Sequence, residues 1–110
     1  MDIPRIAAIA LPENRRKLSA LKLIENAGYK PLGRQPSIEE LANYLQNKPE
    51  LVEAWLTWSS DKRVSSGWYF TRDGKAYTVG FHPNGDCFEF SEPAKACAEF
   101  ILRELASIAG

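Results

Sequence analysis

His82 and Cys87 are the pair in this 110-residue chain whose types and spacing could make a nucleophile. His82 is the only histidine, and a neutral imidazole beside a thiol can take its proton and leave a reactive thiolate. If Asn84-Gly85 closes a two-residue hairpin loop, His82 and Cys87 stand directly across a strand pair. That position is the polar side of a sheet beside a turn, with no third residue to orient the imidazole and no oxyanion donor. A surface pair without a special role is the preferred reading. A structural zinc needs four ligands, and neither C-x-x-C nor H-x-x-x-H spacing occurs, so no metal is expected.

Other chemistry-bearing patterns are missing. The sequence holds no G-x-x-x-x-G-K-[ST], G-x-G-x-x-G or G-x-S-x-G, so phosphate cradles, dinucleotide sites and a nucleophile elbow lack support, and no cofactor is expected. Glu39-Glu40 reads as part of a helix cap and Glu50 with Glu53 as a solvated helix face. Arg15-Arg16-Lys17 is a short basic cluster, which on a neutral chain reads as a wet face rather than a phosphate contact.

The elements that must position these residues are legible in turn and capping signals. Asp73-Gly74 and Asn84-Gly85 predict a three-stranded meander over 67–90, with Phe70 facing Tyr77, Trp68 facing Val79, Val79 facing Phe90 and Phe81 facing Phe88. These side chains share one side. The reverse carries Tyr69, Thr71, Thr78, His82, Cys87 and Glu89, with Gly67 opposite Gly80, so the sheet needs a cover on its apolar face alone. Trp68, Phe70 and Tyr77 fall on the covered side, and stacking on nucleic-acid bases is not expected.

Upstream, Glu13–Ala27 predicts a helix with Leu18, Leu21, Ile24 and Ala27 on one stripe and Gly28 as its stop. Tyr29–Pro36 reads as a connector. Ser37 and Glu40 form a capping box for a second helix ending near Asn47, and Pro49 opens a third running to about Ser60. Leu51, Val52, Trp55, Leu56 and Trp58 cover a broad arc of that third helix. Ile3, Ile6 and Ile9 are compatible with an N-terminal helical turn or a short extra strand. After the sheet, Ser91-Glu92-Pro93 opens a final helix with Cys97, Ala98, Ile101, Leu105 and Ile108 at helical spacing, and Arg103 partly suits its C-terminal half. The expectation is an α+β fold in a single domain over 1–110: three N-terminal helices, a three-stranded antiparallel meander, and a C-terminal helix packed on one face of the sheet.

Composition narrows the partners. Lysine plus arginine equal aspartate plus glutamate at 14 each, which removes the electrostatic case for a nonspecific nucleic-acid binder or a membrane-surface protein. No apolar run approaches the ~20 residues that span a bilayer, and Met1–Arg5 gives no expectation of a secretory leader. Two cysteines are too few for a disulfide scaffold, and a reducing cytoplasm is expected.

The run Trp58-Ser59-Ser60-Asp61-Lys62-Arg63-Val64-Ser65-Ser66-Gly67-Trp68-Tyr69-Phe70, followed by a meander and the closing Ala96-Cys97-Ala98-Glu99-Phe100-Ile101, resembles the small immunity proteins of bacterial polymorphic toxin systems. More narrowly, it is similar to those encoded beside contact-dependent growth-inhibition toxins. The resemblance covers about the last half of the chain. It implies a cytoplasmic antidote, without enzyme activity, that binds one cognate toxin domain, frequently a nuclease, and blocks its active site or substrate entry. Many antidotes to basic nucleases are acidic, and this neutral chain departs from that pattern. In such a role a few aromatic or charged anchors supply most of the affinity. The expected partner-binding residues are Trp58, Asp61 and Arg63 around the polar link, and Tyr69, Asp86 and Glu89 on the outer face. A non-catalytic regulatory or adaptor module that docks on a host protein is the competing class.

Overall fold

The computed structural model describes residues 3–15, 19–27, 37–61, 67–82, 85 and 87–109. Among them the chain forms α1 (Ile3–Ala7), α2 (Pro12–Arg15), α3 (Ala20–Asn26), α4 (Ile38–Leu45) and α5 (Pro49–Asp61). Three strands follow, β1 (Gly67–Asp73), β2 (Ala76–His82) and β3 (Cys87–Phe90), and α6 (Pro93–Ala109) ends the order. The class is α+β.

Local signals account for most boundaries. At α4 the Ser37 hydroxyl accepts from the Glu40 N–H at 3.1 Å while the Glu40 carboxylate accepts from the Ser37 N–H at 3.2 Å, a reciprocal cap. Pro49 and Pro93 each occupy the first helical position, where a missing N–H costs nothing. The helix expected over Glu13–Ala27 is two helices instead. Ser19 adopts an extended conformation and its hydroxyl accepts from the Lys22 N–H, so the serine acts as an N-cap for α3 rather than as a helix interior residue. Ile24 and Ala27 are buried as the stripe requires, while Leu18, the Tyr29–Pro36 connector and the stop at Gly28 lie outside the described residues. Ile3 and Ile6 belong to α1, with no strand there.

The sheet is antiparallel in the order β1-β2-β3. Both hairpins are displaced from the expected register by two residues. Asp73 pairs with Ala76, which leaves Gly74-Lys75 as the first turn with Gly74 at φ 63°. Trp68 accordingly faces Phe81 and Phe70 faces Val79. In the second hairpin Gly80 pairs with Cys87 and Val79 with Phe88, so the connection is longer than two residues, and the Gly85 N–H donates to the Phe81 carbonyl at 2.8 Å within it. A slip of two preserves the side each residue faces, whereas a slip of one would invert it.

α6 covers the apolar face together with α5, and it also packs along α4. Small residues permit the close approach: Ala94, Ala96 and Ala98 are all buried beside Cys97, Phe100, Ile101 and Leu105. Phe70 and Phe100 stack with ring centroids 5.6 Å apart, joining strand to helix, and Trp55 meets Phe100 edge-on at 6.0 Å. The Trp55 indole N–H donates to the Ala7 carbonyl at 2.9 Å, which ties α1 to α5 inside the core. Among the described residues no helix is long and apolar enough to cross a membrane.

Candidate functional site

The register separates the two residues that could have made a nucleophile. His82 stands opposite Gly67, and Cys87 stands opposite Gly80. On the outer face Tyr69, Gly80 and Cys87 form a row across the three strands, and the Tyr69 ring lies over Gly80: a methyl group built there would fall 2.6 Å from the tyrosine Cζ. The Tyr69 hydroxyl reaches the Cys87 thiol. That hydrogen bond, with burial second, holds the phenol above its ordinary pKa, so Tyr69 keeps its proton. Among the described residues no three His, Cys, Asp or Glu side chains converge to hold a metal ion.

The expected anchors are placed as follows. Trp58, expected as a half-covered anchor, lies in the core instead: it is only 6% exposed, and its indole N–H donates to the Glu104 carboxylate at 2.8 Å. Glu104 is itself buried, and α5 and α6 are thereby bridged by a polar contact inside the core. Asp61 is the last residue of α5. Tyr69 is half-buried over Gly80, and Glu89 is exposed on the outer face of β3. Arg63 and Asp86 lie outside the described residues, so of the six only Tyr69 and Glu89 have side chains that the structure sets on one surface.

A different cluster occupies the end of the inner face where β1 begins and β2 finishes. Trp68 and Phe81 meet edge-to-face at 5.2 Å, and Phe81 is 38% exposed although it points to the helical side of the sheet. The Arg103 guanidinium carbon lies 4.7 Å from the Trp68 ring centre and 4.8 Å from that of Phe88. The guanidinium therefore contacts rings carried by β1 and β3, the strands on either side of β2. Arg103 Nε donates to the Glu99 carboxylate at 3.0 Å. The cover that the helices are expected to give this face is therefore incomplete at one end, where Phe81 stays exposed. Arg103 flanks the apolar stripe of α6 one turn after Phe100, a signal that could have marked it as facing the aromatic sheet.

At the opposite end, a cleft of about 440 Å³ opens between α4, α5, α6 and the β1-β2 hairpin, with Leu45, Val52, Tyr77 and Ala94 among its lining. Its charges are matched in pairs. Arg72 donates to Glu53 at 2.8 Å, and Glu92 is paired with Lys95 at 3.4 Å. Hydrogen bonds to Tyr77 first and Glu53 second raise the Arg72 pKa above its usual value, so the guanidinium stays charged throughout.

Comparison with family models, with curated proteins and with solved structures finds no match to this chain.

Proposed function

We propose that this chain is an immunity protein that acts in the cytoplasm, binding one cognate toxin domain and neutralising it by forming a protein–protein complex, with no catalysis of its own. The observation that carries the reading is the Trp68, Phe81, Phe88 and Arg103 cluster. Tryptophan and arginine head the residue types that dominate binding energy at interfaces, and here they are prearranged and part-exposed while Phe70 and Tyr77 of the same face are buried. The outer face adds a flat polar surface of Thr71, Thr78, Glu89 and the Tyr69 row beside that end of the sheet. The resemblance of the Trp58–Phe70 run and the closing Ala96–Ile101 segment supports a toxin domain, of nuclease type, as the partner.

Co-expression tests the proposal directly. The C-terminal domain of a large secreted toxin encoded next to this gene should kill cells when produced alone and lose its toxicity when this chain is present, with the two purifying as a stoichiometric complex. Continued killing at full expression of the chain, or copurification with a housekeeping enzyme instead, would reject the immunity reading and favour an adaptor.

A further inference from the structure

The arginine at the centre of the aromatic end is incompletely used. Its guanidinium carbon lies over both the Trp68 and the Phe88 rings, and Nε is occupied by Glu99, yet neither terminal nitrogen meets an acceptor among the described residues. The side chain is still 36% exposed. The terminal edge of a guanidinium offers two parallel N–H bonds that match the geometry of a carboxylate. Two rings and a carboxylate hold the guanidinium in place, so little side-chain freedom is lost when an acceptor arrives. Phe81, exposed beside Trp68, adds apolar surface to the same cluster.

We infer that Arg103 is a recognition residue whose terminal edge takes an aspartate or glutamate side chain from the protein partner, with Phe81 packing against the apolar surface beside it. This rests on the immunity reading above and names the chemistry of the toxin surface that would fit. A carboxylate suits the site better than a nucleic-acid phosphate chain, because one guanidinium already shared with Glu99 provides a single local charge on a chain of zero formal net charge.

The test uses the full chain and two blocked single-residue probes, N-acetyl-glutamic acid amide and N-acetyl-glutamine amide. Nitrogen-15 spectra report the Arg103 Nε–H and the Trp68 indole N–H, the latter assigned with Trp68→Phe. The glutamate probe should shift both resonances saturably, with a dissociation constant on the order of 10 mM for one charge-assisted contact. The glutamine probe should produce a response at least tenfold weaker. Arg103→Gln should abolish the glutamate response, and Arg103→Lys, which keeps the charge but loses the fork, should weaken it severalfold, each variant being checked for an unchanged fold from its amide spectrum. Equal responses to the two probes, an undiminished response in Arg103→Lys, or a stronger response to a short oligothymidylate would each overturn the inference. A wild-type chain that rescues toxin-expressing cells but ignores the glutamate probe sinks this inference alone; one that takes the probe but rescues nothing sinks the immunity reading instead.

Discussion

The two faces of the sheet differ in how far the helices cover them. Phe70, Tyr77 and Val79 on the inner face are buried under α5 and α6, while Thr71, next to Phe70 on β1, and Glu89 on β3 face outward and are exposed. The cysteines make the same division: Cys97, on α6, is buried in the core, and Cys87 is exposed on the outer row. Burial pushes the Cys97 thiol far above its ordinary pKa, because the thiolate would lie in an apolar interior. The difference teaches that helix cover, more than residue type, decides burial here: the middle of the inner face is enclosed, while the outer face and one end of the inner face keep exposed residues.

Thiol labelling offers the sharpest way to break that division. Under native conditions one equivalent of an aromatic disulfide reagent should react per chain, at Cys87, and the second equivalent should appear only on unfolding. Raising the pH into the ordinary thiol range should leave Cys97 unreactive. The sign of the accompanying stability change follows: the unfolded chain ionises this thiol and the folded one does not, so stability is lost as pH rises above the ordinary value. Rapid reaction of both thiols in the folded protein would show that the inner layer is open.

Neighbouring substitutions on β1 sharpen the comparison in energy. Phe70→Ala removes a ring stacked on Phe100 and should cost about 3–5 kcal/mol by denaturant unfolding. Thr71→Ala, one position along on the exposed face opposite Thr78, should cost less than about 1 kcal/mol. Similar losses at both positions would mean that the outer face is covered. The smallest expected effect is at the cleft. Glu53→Gln and Arg72→Gln, alone or together, should move the urea midpoint less than any inner-face truncation, and the difference should shrink further with added salt, since the pair lies in solvent.

Much of the architecture is legible from short-range chemistry. The Ser37–Glu40 box, proline at the first position of α5 and α6, and the alternation along the strands each rest on contacts within a few residues, and each is realised. The first turn falls one residue later than its strongest dipeptide suggests, because Asp73-Gly74 and Gly74-Lys75 both offer a glycine for the positive φ and Asp73 joins the ladder. Ser19 presented a similar choice between helix interior and cap, which a stripe of apolar residues running through it obscured.

The site was less legible, and the reason is distance along the chain. Trp58 reads locally as a residue beside a polar link, but it is enclosed because Glu104, 46 positions later, accepts its indole proton inside the core. Arg103 reads as a helix charge, yet its setting between Trp68 and Phe88 needs two strands held at a fixed separation with a helix laid across them. Periodicity and turn chemistry by themselves determined the class of fold, the sidedness of the sheet and the caps, because those depend on backbone geometry within a turn or a strand. Only the tertiary structure decided which rings are enclosed and which arginine is gripped, because burial and stacking are properties of surfaces brought together from distant parts of the chain.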